Sequence, residues 1–175
     1  QYMQVFFMKS IKSWLIAGFI FTAVFGTLSH FFYGWSNENP LIGLISPVNE
    51  STWEHMKLVF FPVLFWSLLL SPHLSDVSPS LRPALLFGSL LGTLTVPVLF
   101  YTYSGILGRT VTWIDILIFF ISVFLTFFCA WKFQSSSKIY KKRTAIYFLT
   151  VLFLILFFLF TFLPPNIGLF AEPQP

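Results

Sequence analysis

Residues 46–57 read SPVNESTWEHMK. Glu50, Glu54, His55 and Lys57 bring two carboxylates, an imidazole and an ammonium into one short stretch, with Asn49 and Trp53 between them. Two carboxylates beside an ammonium can hold separated pKa values and act as acid and base, which makes Glu50, Glu54 and His55 candidate catalytic residues. Lys57 or Asn49 would then stabilise developing negative charge. Imidazole and carboxylate are also ligands that Zn²⁺ accepts, and His30, Glu50, Glu54, His55 and Asp115 form a candidate divalent-metal set. The spacing matches no metal signature. Glu54-His55 is not His-Glu-x-x-His, and adjacent helical residues point about 100° apart.

The rest of the chain avoids charge. Of its 175 residues, 57% are hydrophobic and 9% are charged, against about 25% charged in soluble domains. Phe alone occurs 25 times, and the mean hydropathy is +0.83. So few charges cannot cover a globular surface, which points to an integral, multi-pass protein of the cell membrane with the lipid bilayer as its main partner. The single Cys129 excludes an internal disulfide and a Cys-rich metal site. The net charge of +4 reports membrane orientation and not nucleic-acid binding. No nucleotide or haem motif is present.

The expected fold class is all-α, a single transmembrane domain over 1–175 with five spans at about 13–32, 47–70, 83–103, 113–131 and 144–163. The first run is too long for a signal-peptide core and ends in His-Phe-Phe-Tyr, so it reads as a retained helix. An outer linker, 34–46, precedes the second span, whose start at Pro47 with Ser46 as cap suits a helix N-terminus. That span reaches across only if the polar motif is part of it. Pro97 should kink the third span. A basic loop follows the fourth, 132–143, and an extracytoplasmic tail, 164–175, closes the chain.

Lys9, Lys12, Arg82 and the five basic residues of 132–143 fall on one side of this map, and Arg109 alone faces them. The bias puts the N-terminus inside and the C-terminus outside. Glu38, Glu50, Glu54, Asp115 and Glu172 then share the outer side with His30, His55, Tyr101 and Tyr103, whereas Asp76 and His73 face the cytoplasm. Helical spacing places Glu50, Glu54 and Lys57 on one face. Gly18, Thr22, Gly26 and Ser29/His30 form a small-residue stripe, Gly88-x-x-x-Gly92 another, and Asp115, Ser122, Thr126 and Cys129 share a face. The fifth span has no stripe and belongs at the lipid-facing edge. The spacing thus predicts spans one to four around an outward-facing polar pocket, lined by Glu50, Glu54, His55, His30, Asn49, Trp53, Lys57, Tyr101, Tyr103 and Asp115.

Plainer roles compete for the same residues. Ser51-x-x-Glu54 and Thr112-x-x-Asp115 are capping-box patterns. Glu54 and Lys57 can form an i, i+3 ion pair, and His30 can be an interfacial histidine. Trp35, Trp53 and Trp113 suit interfacial anchors, Trp53 alone lying within the motif. Asn49-Glu50-Ser51 is a weak glycosylation match beside the membrane. The function classes left open are acid/base or metal-assisted chemistry on a lipid-like substrate, binding or transport of a small molecule or ion, and a structural, partner-binding subunit. The absence of an inverted repeat weighs against a lone secondary transporter.

HFFYGWS followed by SPVNESTWEHMKLVFFP resembles a bacterial family of small polytopic membrane proteins known only as a domain of unknown function. The resemblance runs from about Ser29 through PVLFYTYSG and the Asp115 region to FTFLPPNIGLF. It implies a recurring Asn-Glu-Ser-x-x-Glu-His-x-Lys core and supplies no activity. Such families continue past the Pro-Pro element with a short polar tail, which here ends at AEPQP.

Overall fold

The computed structural model of the chain describes residues 2–173, with side chains from Ser10 onward other than that of His73. The expected roles of the Lys9 and His73 side chains therefore lie outside the described residues. The elements are α1 (Tyr2–Trp35), α2 (Pro40–Gly43), α3 (Thr52–Leu68), α4 (Pro72–Val77), α5 (Leu81–Leu107), α6 (Thr112–Phe133), α7 (Ser137–Lys141), α8 (Arg143–Phe162) and a 3₁₀ turn, Gly168–Phe170. Among the described residues there is no strand. The 34–46 linker and the basic loop are thus partly helical, at α2 and α7.

Four helices are long and apolar enough to cross a membrane: Ser10–Trp35 within α1, α5, α6 and α8. The exception is the second expected span, which starts at Thr52 and not at Pro47. Its 17 residues rise about 25 Å. Local bonds explain the later start. Ser51 is the N-cap, its Oγ accepting the Glu54 N–H at 3.4 Å. Asn49 Oδ1 accepts the Ser51 N–H at 2.9 Å, an Asx turn that helical backbone would not allow. The Glu54 carboxylate reaches back to the Val48 N–H at 3.0 Å. The capping-box pattern prevails over Ser46-Pro47, with Asn49 supplying the bond to the cap N–H that Glu54 would make in a standard box. Glu50 consequently lies outside the helix and does not share a face with Glu54 and Lys57.

Hydrogen bonds and close contacts between helix ends show that the five long helices alternate in direction. At the upper end, α1, α5 and α8 finish while α3 and α6 begin, as the His30–His55, Tyr103–Asp115 and Lys57–Thr161 contacts require. At the lower end, Ser78 and Ser80 Oγ donate to the carbonyls of Gln134 and Ser136, and Arg82 donates to the Leu70 carbonyl.

α3 packs against α1, α5, α6 and α8. It is apolar on nearly every side, the pattern of a helix enclosed by others. Phe60, Phe61 and Phe157 of α8 are almost wholly buried together. The stripe on α1 packs inward as its spacing predicts: Gly18, Thr22, Gly26 and Ser29 are all buried. Pro62 lacks the N–H that would bond the Leu58 carbonyl. Gly26 packs against that carbonyl so closely that a Cβ would collide with it. Gly88 and Gly92 meet α6 in the same manner, against Thr126 and the Ser122 carbonyl. Thr126 Oγ1 donates across to Gly88 at 3.2 Å. α8 lies at the edge, with Ile146, Thr150 and Phe157 its buried residues.

One charged contact runs through this apolar interior. Lys57 is fully buried and Glu54 is 2% exposed. Lys57 Nζ donates to Glu54 Oε2 at 2.5 Å, to the Gly43 carbonyl at 2.8 Å, to Thr161 Oγ1 at 2.7 Å and to the Ser46 carbonyl at 3.4 Å. An ammonium has three protons, so it is fully satisfied here. The contact ties α3 to the loop before it and to the end of α8.

Removing one partner of a buried pair strands the other, at about 3–5 kcal/mol. Lys57→Met or Glu54→Gln alone should therefore lower the unfolding midpoint in detergent sharply, and the double variant should recover much of the loss. Equal and additive losses would show that the pair is not coupled. In a second series, Gly88→Val should destabilise by about 1–3 kcal/mol by prising α5 from α6. Gly105→Ala, with nothing within 4 Å of the added carbon, should not destabilise; comparable midpoints for the two variants would refute the close packing.

Candidate functional site

The buried pair divides the motif. Successive residues on α3 turn by about 100°, so the inward aim of Glu54 sends His55 outward, toward α1. The Asx turn at Asn49 places Glu50 just above them, on the same outer side. His55 Nε2 lies 3.5 Å from Glu50 Oε2, and His30 Nε2 lies 4.0 Å from the same atom. The two imidazole rings are 5.2 Å apart between centroids. His30, Glu50 and His55 each offer a donor atom within 4.8 Å of the others. The side chains are 32%, 64% and 28% exposed respectively, so the cluster opens to the surface.

The backbone orients one of these rings. His55 Nδ1 lies 3.0 Å from the Ser51 carbonyl. A carbonyl only accepts, so Nδ1 donates in this contact and Nε2 is the nitrogen turned toward Glu50. His30 Nδ1 is buried with no hydrogen-bond partner among the described residues, so packing against Phe31 and His55 holds that ring.

A second polar pair stands alongside. Tyr103 donates to Asp115 Oδ1, and Tyr103 Oη in turn accepts the Val111 N–H at 3.1 Å. The expected Thr112-x-x-Asp115 cap does not form, because α6 takes Val111 as its N-cap with no side-chain bond. Asp115 is committed to the tyrosine of the adjacent α5 instead.

Of the predicted residues, the fold gathers His30, Glu50 and His55, sets Tyr103 and Asp115 beside them, and removes the others. Glu54 and Lys57 are buried in their ion pair, apart from the His30–Glu50–His55 cluster. Asn49 shapes the turn that carries Glu50. Trp53 packs among Phe157, Phe160 and Phe170 at 4.8, 5.6 and 5.0 Å and is no interfacial anchor. Tyr101 Oη donates to the Gly168 carbonyl at 2.9 Å, pinning the tail. The Ser51 carbonyl that orients His55 had no signal in the sequence, since a backbone acceptor has no residue type. Thr161, which receives Lys57, could have been suspected as a hydroxyl near the end of an otherwise apolar span.

No curated protein and no solved structure matches the chain. The sequence model of a family of unknown function, DUF6512, matches residues 3–174. The match spans the histidine of α1, the split motif of α3, the Tyr103–Asp115 pair and the tail that Tyr101 holds, and the chain belongs to this family.

Proposed function

We propose that the chain is a five-span membrane protein, N-terminus cytoplasmic, that binds a divalent transition-metal ion at the outer end of its bundle through His30, Glu50 and His55. The observation that carries the reading is the convergence of three donor groups within 4.8 Å, the ring of one of them oriented by the Ser51 carbonyl. Ligating histidines commonly give their other ring N–H to a carbonyl in this way.

The chemistry of the set suits the ion. Two imidazoles and a carboxylate favour Zn²⁺ and its first-row neighbours over Mg²⁺ or Ca²⁺. Donors on a tetrahedral ion at about 2.0–2.1 Å sit roughly 3.3 Å apart. The 3.5 Å between Glu50 and His55 is close to that already, so the closure needed falls mainly on the approach of His30. Three protein ligands leave a coordination position free, as in catalytic sites. An ion held by these residues would supply Lewis-acid activation of a bound water. Metal-assisted chemistry on a lipid-like substrate is the activity that such a site, at the edge of a bilayer, supports best.

The alternating helices fit five spans if α3, at 17 residues, crosses inside the bundle, within the range of known spans. Lys12, Arg82, Lys132, Lys138, Lys141, Lys142 and Arg143 gather at the lower end, which supports a cytoplasmic position for that end.

Protein stripped with chelator and reloaded should take up one equivalent of Zn²⁺ per chain, read by elemental mass spectrometry. His30→Ala, His55→Ala and Glu50→Ala should each weaken uptake at least about tenfold, whereas Glu38→Gln should leave it unchanged. Imidazole ligates only when neutral, so acid should release the ion. Unchanged stoichiometry and affinity in both histidine variants would end the metal reading.

A further inference from the structure

A cavity of about 240 Å³ opens at the upper end between the close of α5, the first residue of α3 and the C-terminal tail. Thr52, Ser104, Arg109, Thr110, Gly168 and Glu172 are among its lining residues. The histidine cluster does not line it, although Ser104 is the sequence neighbour of Tyr103.

Its walls are built and not loose. Tyr101 holds Gly168, and Phe170 packs against Trp53 at 5.0 Å and Phe160 at 5.3 Å. The tail is thereby clamped along one side of the cavity.

The lining has opposite charges kept apart. Arg109 and Glu172 both face the cavity, yet neither is in an ion pair or a side-chain hydrogen bond among the described residues. Thr52 is 4% exposed, lines the cavity and makes no side-chain hydrogen bond. It is the first residue of α3, and neither its amide nor that of Trp53 has an acceptor among the described residues. The free amide and the unpartnered hydroxyl of Thr52, with the Arg109 guanidinium, together make a place for an anionic oxygen group. Glu172 at the rim makes a place for a cation that can donate hydrogen bonds.

We infer that this cavity binds a zwitterionic phosphodiester-ammonium group, the headgroup chemistry of an ethanolamine phospholipid, with phosphate toward Arg109 and Thr52 and the primary ammonium toward Glu172. The volume lies below the roughly 300–1,000 Å³ of pockets that enclose drug-sized ligands, so it takes a headgroup and leaves acyl chains in the bilayer. A carboxylate selects a primary ammonium over a quaternary one, because only the primary ion donates hydrogen bonds. The site is independent of the metal cluster and stands if no metal binds. If both hold, the cavity offers the lipid a hold beside the metal.

The test is native mass spectrometry of the full-length, detergent-purified chain. It is titrated with dioleoyl phosphatidylethanolamine, phosphatidylcholine or phosphatidylglycerol, with and without free phosphoethanolamine. The ethanolamine lipid should be retained at about tenfold lower concentration than either of the others. Arg109→Ala should erase retention of it. Glu172→Gln should level it with the choline lipid, and Thr52→Val should weaken it. Phe124→Leu on the exposed face of α6 should change nothing, and the unfolding midpoint of each variant shows that it is folded. Competition by free phosphoethanolamine at similar concentration assigns a soluble ligand to the site, and lipid binding without competition assigns the lipid itself. Equal retention of all three lipids by the unaltered chain, or unchanged selectivity in folded Arg109→Ala, would overturn the inference.

Discussion

The fold depends on where a buried ammonium finds its acceptors. Lys57 has no access to solvent, and a charge in that position must be matched by a counter-charge and by polar oxygens. Glu54 supplies the first, one helical turn away. The carbonyls of Gly43 and Ser46 and the hydroxyl of Thr161 supply the rest. Because two of those oxygens belong to the backbone before α3, that segment must curl inward over the lysine. The same curl fixes the start of α3 at Thr52, the Asx turn at Asn49 and the outward aim of Glu50. A contact between two side chains thus sets the course of a dozen backbone residues and the closing turn of a distant helix.

The motif is best understood as two layers divided by helical phase. Glu54 and Lys57 point into the bundle and hold it together. Glu50 and His55 point the other way and meet His30. Ionisable residues in a membrane protein suggest function by default, and here two of the motif's four, Glu54 and Lys57, are accounted for by a satisfied structural network. What remains is smaller and more specific: two imidazoles and one carboxylate, open at one side, with a tyrosine–aspartate pair adjacent.

Much of the bundle was legible because its signals are periodic. The α1 stripe, the Gly88-x-x-x-Gly92 contact and the buried face of Ser122, Thr126 and Cys129 all follow from residue spacing alone, and each is inward-facing in the structure. The start of α3 was not, because Ser46-Pro47 and Ser51-x-x-Glu54 are both sound helix-start signals. Choosing between them requires knowing that Lys57 takes the carbonyl of Ser46, a tertiary contact. The misplaced start then carried Glu50 onto the wrong face. Asp115 shows the same limit in reverse: a good local capping pattern gave way to a hydroxyl brought in by the neighbouring helix.

α3 is also the shortest of the five long helices, with 17 residues against 27 in α5. His30 meets His55 more than a turn before α1 ends at Trp35, and Tyr103 meets Asp115 a turn before α5 ends at Leu107. Both contacts thus lie about a turn inside the helix ends, His55 and Asp115 being the fourth residues of α3 and α6. Fraying of a terminal turn therefore leaves them in place. Glu50, 64% exposed, meets bulk solvent, so external salt screens the charges of the cluster as it does those of an open surface.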